Sequence, residues 1–151
     1  MIGQITDKGQ KQFIARQILE ALTAWFEVEE SREAYIAGCA DWIFLADAEN
    51  GEYRGFLCLK ETGRATAELA VMGVRTEYHR AGIGAALVAK AKQIAREKGY
   101  AFMQVKTVQM GKYPEYDITN LFYLHCGFQE FEVIPTLWDA DNPCQIYVTA
   151  L

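Results

Sequence analysis

The stretch from Ala67 to Val105 constrains the fold of this chain more than any other part of the sequence. It contains an apolar run, a polar turn with two glycines, an amphipathic segment and a second run of alternating residues. A nearly continuous apolar run predicts a strand that is covered on both faces, and therefore a strand in the middle of its sheet. The residues of that run are Ala67, Leu69, Ala70, Val71, Met72 and Val74.

Gly73 interrupts the apolar run. A glycine inside a strand weakens it, and marks either a bulge or a close approach by another part of the molecule. The sequence alone leaves both explanations open.

The segment after the two glycines is predicted to be a helix, because its apolar residues recur at helical spacing. Lys98 followed by Gly99 is typical of a helix end. Met103 and Val105 alternate with polar residues and predict the next strand. The apolar residues of the helix are Ile83, Leu87, Val88, Ala91, Ile94 and Ala95.

Gly82 and Gly84 stand where the turn enters this helix. The first N–H groups of a helix lack partners within it, and the helix dipole adds partial positive charge there, so the position suits an anion. Without side chains at the glycines, a bulky anion such as a pyrophosphate can approach the main chain. His79 and Arg80 could add donors beside it.

Two common phosphate-binding motifs are absent from this turn. A Walker A loop requires Gly-Lys-Ser/Thr, but Gly84 is followed by Ala85. The dinucleotide fingerprint requires a third glycine where Leu87 stands.

Two segments resemble motifs of one protein family. Val74 to Gly84 is similar to the acetyl-CoA-binding signature of the GNAT superfamily of N-acetyltransferases, Q/R-x-x-G-x-G/A, with His79 in the first position. Phe122 to Phe128 resembles the family's later Tyr-x-x-x-Gly-Phe segment. The two motifs in this order are more specific than either alone, and the likeness covers residues 42 to 150.

The resemblance implies a fold and an activity. The fold is α+β: a central mixed, mostly antiparallel sheet whose two middle strands splay apart, flanked by helices, with residues 1–151 forming a single N-acetyltransferase domain. The implied reaction moves an acetyl group from acetyl-CoA, without a metal, to a primary amine of a small molecule or peptide that attacks directly.

The resemblance also implies which residues contact the cofactor. The pyrophosphate would rest on the amides from Arg80 to Ala85, and the N–H of Val74 or its neighbour would polarise the thioester carbonyl. Tyr116 stands seven residues before Tyr123, where the family often has an asparagine. The implied cofactor-binding residues are Met72, Val74, His79, Arg80, Ala81, Gly82, Ile83, Gly84, Ala85 and Tyr116.

Two residues are candidates for catalysis. A free alkylamine has a pKa of about 10.4, so the acceptor must lose a proton before it attacks. Glu68, the acidic residue in the apolar run, is the candidate base, used directly or through water; the alternatives are that it merely ends the exposed part of the strand or pairs with a lysine. Tyr123 is the candidate acid that protonates the CoA thiolate; its alternative is a core tyrosine packed beside Phe122 and Phe128.

Two other functions are compatible with the sequence. One is a catalytically silent acyl-CoA-binding regulatory module of the same fold, which would bind acetyl-CoA without acceptor-dependent CoA release. The other is a non-enzymatic interaction domain in which Gly82 and Gly84 are only turn residues.

Composition limits the partners. A length of 151 residues suits one domain, and a net charge of −5 argues against nucleic acid. No stretch approaches the ~18 apolar residues that span a membrane. The four cysteines form no C-x-x-C pair and only two histidines are present, which indicates buried thiols and no metal site. We expect a cytoplasmic protein, and a homodimer is compatible with the sequence.

Other elements are predicted from periodicity and turn residues. We expect a first strand within residues 1–6, a helix from Gly9 to Glu27, and a second helix from Ser31 to Cys39 with Ser31 as its cap. Strands over 42–46 and 53–60 flank an Asn-Gly hairpin signal. Asp117 or Thr119 is predicted to cap the last helix, and residues 131–148 to form a closing hairpin.

Overall fold

A computed structural model describes residues 1–151. In chain order its elements are β1 (Ile2–Ile5), α1 (Lys8–Ala21), α2 (Glu29–Cys39), β2 (Ile43–Glu49), β3 (Glu52–Glu61), β4 (Thr66–Val74), a short 3-10 turn (Thr76–Tyr78), α3 (Ile83–Glu97), β5 (Phe102–Val108), α4 (Pro114–His125), β6 (Gln129–Asp139) and β7 (Asn142–Ala150).

The strands form one seven-stranded sheet in the order β1-β2-β3-β4-β5-β7-β6. The β1–β2, β2–β3, β5–β7 and β6–β7 pairs are antiparallel. β4 and β5 are parallel, and their register joins Thr66–Leu69 to Phe102–Val105. The predicted α+β fold with a mixed, mostly antiparallel sheet and flanking helices is therefore confirmed.

The chain divides into two compact units, and each contains two separate pieces of sequence. The first unit consists of Met1–Lys60 and Ala70–Gln93, and the second consists of Glu61–Leu69 and Ile94–Leu151. The boundary therefore falls at the last residue of β3, within β4 and again within α3.

The core of the first unit lies under α1 and α2. Phe44 and Phe56 stack in it, with ring centroids 5.2 Å apart. The partly buried aromatic residues Trp25, Phe26 and Tyr35 pack against this core. Its buried residues are Ile14, Ala15, Ile18, Leu19, Leu22, Ile36, Cys39, Phe44, Ala46, Phe56, Cys58 and Val71.

β4 is buried differently along its length. Ala67, Glu68 and Leu69 are all buried, as the sequence predicts for a central strand, whereas buried and half-buried residues alternate from Ala70 to Val74. The fully buried stretch is the part of β4 that pairs with β5. The prediction of burial on both faces is thus correct for the first half of the strand and wrong for the second.

A close approach by α1 accounts for Gly73. A Cβ atom at this position would lie 2.8 Å from Cδ1 of Leu22 and 3.1 Å from Cγ2 of Ile18. Of the two explanations that the sequence left open, the structure supports the close approach.

Three helix boundaries differ from the predictions. α1 starts at Lys8, where Asp7 caps it by accepting the Gln10 N–H at 2.8 Å, and it ends at Ala21 rather than at Glu27. α2 starts at Glu29, two residues before Ser31, so Ser31 lies in its first turn and is not the cap.

The start of α4 was also predicted wrongly. Its first residue is Pro114, whose fixed φ suits the first turn of a helix. Asp117 accepts the Gly111 N–H at 2.7 Å, and the Thr119 hydroxyl donates to the Glu115 carbonyl at 3.1 Å. Both side chains are therefore bound locally, and neither caps the helix.

The predicted turns are confirmed. Asn50 and Gly51 both have left-handed backbone, with φ of 50° and 79°, in the turn between β2 and β3. β6 and β7 form the closing hairpin. None of the helices combines the length and the apolar character needed to cross a membrane.

Candidate functional site

The start of α3 is built from backbone rather than side chains. Arg80 and Gly82 have left-handed φ angles of 66° and 82°, and the Ala86 N–H donates to the Gly82 carbonyl at 3.0 Å to close the first helical turn. The N–H groups of the helical residues before Ala86 precede this ladder, and Gly82 has no side chain that could cap them. A Cβ atom on Gly82 would meet nothing within 4 Å, so the approach to these donors is open at that position.

His79 links the end of β4 to the connection between α1 and α2. Its Nε2 atom lies 2.7 Å from the Val74 carbonyl oxygen, and its ring packs edge-on against Trp25 at a centroid distance of 5.8 Å. The sequence suggests His79 as a donor to a bound anion. One of its two ring nitrogens is instead already hydrogen-bonded to the main chain. Arg80, the other predicted donor, is exposed.

Met72 and Val74 are half-buried and two residues apart on β4, so they lie on the same face of the strand. Ala70 belongs to the same half-buried set, whereas Val71 and Gly73 are buried. The predicted cofactor-binding residues of the first unit thus occupy the half-buried face of β4 and the turn that follows it.

Asn120 is the centre of a buried hydrogen-bond network in the second unit. Its Nδ2 atom donates to the carbonyls of Val108 at 2.8 Å and Tyr116 at 2.7 Å. Its Oδ1 atom accepts from the Tyr147 hydroxyl at 2.6 Å, and burial raises the pKa of Tyr147 above its usual range. Asn120 therefore ties α4 to both β5 and β7.

The sequence predictions did not include Asn120. Its signal was present, because it follows Tyr116 by four residues and precedes Tyr123 by three, so that all three share one side of a helix. Its bonding partners on β5 and β7 are remote in sequence and could not be read from the helical pattern.

Tyr123 is buried in an aromatic cluster. Only 6% of its surface is exposed, and its ring centroid lies 5.5 Å from that of Phe122, 5.8 Å from Phe128 and 6.1 Å from Tyr147. The packing proposed as the alternative to a catalytic role is therefore present. It fixes the ring, and a fixed ring is compatible with either role for the hydroxyl.

The end of α4 accounts for the spacing of the Tyr-x-x-x-Gly-Phe segment. Gly127 is left-handed with a φ of 92°, its N–H donates to the Leu124 carbonyl at 3.1 Å, and the Phe128 N–H donates to the Tyr123 carbonyl at 3.1 Å. This is the Schellman arrangement, in which the outer residue also packs on the residue whose carbonyl it binds. Phe128 and Tyr123 do make that ring contact.

Glu68 forms a buried ion pair. Its Oε1 atom lies 2.6 Å from the Nζ atom of Lys106 on β5, and the Glu68 side chain is 6% exposed. The lysine pairing named as an alternative for this residue is thus present. Burial raises the pKa of the nearby Cys144 thiol, with Lys106 lowering it and Glu68 raising it further.

The predicted site residues fall into both units. The first contains Met72, Val74 and the turn from His79 to Ala85, and the second contains Glu68, Tyr116 and Tyr123. No group of three or more His, Cys, Asp or Glu side chains is arranged to hold a metal ion.

One known protein family matches most of this sequence. The model of the acetyltransferase (GNAT) family matches residues 12–128, so the match begins within α1, well before residue 42. Among curated proteins, none matches this sequence.

Solved structures share the fold. A proposed GNAT-family acetyltransferase from Desulfovibrio desulfuricans superposes with a TM-score of 0.84 at 18% identity over 99% of both chains. An aminoglycoside 6′-N-acetyltransferase complexed with coenzyme A gives 0.76 at 16% identity, over 99% of this chain and 96% of that one. The PaiA N-acetyltransferase of Thermoplasma acidophilum, in complex with coenzyme A, gives 0.73 at 18% identity, over 100% and 99%. At such identities the likeness concerns the fold.

Proposed function

The chain belongs to the GNAT family of acetyltransferases, and on that premise we propose that it transfers an acetyl group from acetyl-CoA to a primary amine of a small molecule or peptide. The amine attacks the thioester carbonyl directly, without a covalent enzyme intermediate. As part of the proposal, residues 1–151 act as a single acetyltransferase domain.

The open start of α3 is the observation that carries this proposal. The amides from Arg80 to Ala85, apart from the Ala81 N–H that already donates to the Tyr78 carbonyl at 3.3 Å, bind the pyrophosphate of CoA, because the helix dipole and the N–H groups before Ala86 favour an anion there. The exposed Arg80 guanidinium adds positive charge. Two proteins of the same fold are complexed with coenzyme A, which supports this choice of anion.

A main-chain N–H group and two tyrosine hydroxyls are proposed to contact the acetyl and pantetheine parts of the cofactor. The N–H of Val74 or its neighbour polarises the thioester carbonyl in the way an oxyanion donor does, and Met72 lies on the same half-buried face of β4. Tyr116 contacts the pantetheine arm. Tyr123 gives a proton to the departing CoA thiolate as the C–S bond breaks.

Glu68 is the proposed base that takes the ammonium proton of the acceptor, directly or through water. Its ion pair with Lys106 keeps the carboxylate in place at 2.6 Å. Replacing Glu68 with Gln removes the proton acceptor with little change in size. We expect kcat/KM to fall and its rise with pH to move to higher pH, and an unchanged pH profile would exclude Glu68 as the base.

A cytoplasmic location is also part of the proposal. Cys39 and Cys58 lie with their sulfur atoms 3.4 Å apart and remain free thiols. Disulfides form and persist in oxidising compartments and are rare in the cytosol. A cytoplasmic location would therefore keep both thiols reduced.

The proposed activity is tested by thiol release. The protein is incubated with acetyl-CoA and a panel of small amines and peptides, and free CoA is followed with a thiol reagent, while calorimetry measures acetyl-CoA binding separately. We expect binding and acceptor-dependent release with at least one amine. Binding without release from any amine would indicate the silent acyl-CoA-binding module, and absence of binding would contradict the proposed site at α3.

A further inference from the structure

The outward side of α4 is apolar. Asn120 and Tyr123 are the buried residues of this helix, whereas Ile118, Leu121 and Leu124 are 63%, 58% and 39% exposed. A surface helix normally turns its apolar side inward and its charged side to water. α4 does the reverse, with an amide at its buried centre and aliphatic side chains outside.

α3 shows that this is not a general property of the helices. Its buried residues Leu87, Val88 and Ala91 are apolar, and its exposed positions include Lys90, Arg96 and Glu97. α3 thus follows the usual pattern. The exposed aliphatic side chains of α4 consequently require an explanation of their own.

The exposed face of α4 is centred on Leu121. At about 100° per residue, the residues within about 60° of Leu121 around the helix are Pro114, Asp117, Ile118, Leu124 and His125. This face contains no lysine or arginine. We call these six residues the α4 outer face.

The α4 outer face is arranged symmetrically about its centre. Ile118 and Leu124 lie three residues before and after Leu121, and Asp117 and His125 lie four residues before and after it. An antiparallel helix pair on a two-fold axis through Leu121 brings each residue against the one at the opposite offset in the other copy, because isologous contacts are reciprocal. Aliphatic residues then meet each other, and an acid meets a histidine.

We propose that the α4 outer face binds the same face of a second copy of this chain, with the two α4 helices antiparallel and crossing at Leu121. Leu121 packs on its own equivalent, and Ile118 packs on Leu124 of the second copy. Asp117 lies opposite His125 of the second copy, twice in each dimer. The antiparallel direction also opposes the two helix dipoles, which favours association.

The interface does not involve the proposed site residue Tyr123, which is buried within the fold. Tyr123 and Asn120 face the sheet, where they contact Tyr147. α4 has 12 residues and is therefore ~18 Å long, so this face alone falls in the small interface class below about 1,200 Å². We therefore expect a reversible dimer with a Kd in the range of about 10–100 µM, as for weak, transient complexes.

The proposal is tested by sedimentation velocity between about 5 and 500 µM. Wild-type protein should shift from monomer to dimer over this range, and Leu121→Asp, which places two like charges at the axis, should remain monomeric. Phe13→Asp is the matched control, because Phe13 on α1 has the same 58% exposure; it should dimerise like the wild type. Circular dichroism checks that both variants are folded. A monomeric wild type, a dimeric Leu121→Asp, or equal loss in Phe13→Asp would overturn the proposal.

Charge variants test the antiparallel direction. His125→Glu puts an acid opposite Asp117 of the second copy at two places, so the dimer Kd should rise about 10-fold at low salt and by less at high salt. His125→Lys should lower the Kd and also places a cation at the C-terminal end of α4. If Leu121→Asp abolishes the dimer but neither histidine variant changes its Kd, the antiparallel pairing is wrong. These measurements need no acetyl-CoA and are independent of the proposed activity.

Discussion

At the scale of single residues, Gly82 has two properties that depend on its lack of a side chain. Its φ of 82° is left-handed, and a Cβ atom there would point into open space at the start of α3. Gly82→Asp should therefore strain the turn by about 1 kcal/mol and place a carboxylate where we propose the pyrophosphate binds. We expect calorimetry to show a loss of acetyl-CoA affinity of at least about 30-fold.

Gly63→Asp is a control for this prediction. Gly63 is also free of neighbours within 4 Å, and its φ lies outside the left-handed range. The variant adds the same charge in a turn of the second unit and should bind acetyl-CoA normally. Retained binding by Gly82→Asp, with a correctly folded protein, would count against the proposed pyrophosphate site.

Tyr123→Phe separates chemistry from packing at the aromatic cluster. The ring contacts with Phe128 and Tyr147 do not involve the hydroxyl, so the variant keeps this aromatic packing. Loss of a general acid should lower kcat by about 10²-fold or more, while KM for acetyl-CoA stays within a few-fold. Equal losses in kcat and in cofactor affinity would indicate a packing role.

Tyr147→Phe is the matched control for Tyr123→Phe. It also removes one phenol hydroxyl, but that hydroxyl donates to the buried Asn120 at 2.6 Å. Leaving the Asn120 oxygen without this donor should cost about 1–3 kcal/mol of stability. The two variants should therefore differ in the property that is lost first: Tyr123→Phe loses turnover, and Tyr147→Phe loses thermal stability.

The sequence predicts a residue well when its role depends on local backbone. Gly82, Asn50 and Gly51 were identified from turn chemistry, and all three have left-handed φ angles. The sequence did not reveal that Asn120 bonds to Tyr147, or that the lysine beside Glu68 is Lys106. In each pair the two residues are remote in sequence. Such pairs are created by the sheet order, which no local pattern encodes.

At the scale of elements, α3 and α4 end in the same way. Gly99 and Gly127 are both left-handed, and the residue after each glycine donates its N–H to a carbonyl five residues earlier, Tyr100 to Ala95 and Phe128 to Tyr123. The glycine is needed because this position disfavours a Cβ atom. Gly127 is thus required by the helix end, whatever the Tyr123 hydroxyl does, and Phe128 packs on Tyr123 there.

The packing of α1 on β4 gives an element-scale prediction. Gly73→Ala would place a methyl group 2.8 Å from Cδ1 of Leu22, which is itself buried, so the helix must shift or the side chains must repack. We expect a loss of about 1–2 kcal/mol in the free energy of unfolding, measured by urea denaturation.

Gly3→Ala serves as the control, since Gly3 also lies in a strand of the first unit but has no neighbour within 4 Å of its Cβ position. It should be neutral or slightly stabilising, because alanine reduces the freedom of the unfolded chain. If Gly73→Ala were as stable as Gly3→Ala, the contact with α1 would not limit the size of residue 73.

Periodicity predicted which elements exist but not where the helices begin. α1 was predicted to end at Glu27 because Trp25 continues its helical spacing, although the chain has already turned at Leu22. α4 was placed too late because Asp117 and Thr119 are cap-forming residue types that here bind the Gly111 N–H and the Glu115 carbonyl. In both cases a local bond competes with the pattern.

At the scale of the whole molecule, β4 and α3 each contribute residues to both compact units. Unfolding of β4 or α3 in one unit should therefore also affect the other unit. We expect a single thermal transition in scanning calorimetry, with the calorimetric enthalpy equal to the van't Hoff enthalpy. Two resolved transitions would show that the units unfold separately and would contradict the proposal of one domain.

The course of the chain through the two units also limits how it can be divided. Each unit is assembled from two separate lengths of backbone, Met1–Lys60 with Ala70–Gln93 and Glu61–Leu69 with Ile94–Leu151. A nick in the turn at Asn50 and Gly51 would therefore yield a short fragment that contains neither unit and a long fragment that contains only the second one whole. The short fragment would have to rejoin the long one before the pairing of β2 with β3 and the core under α1 could be restored.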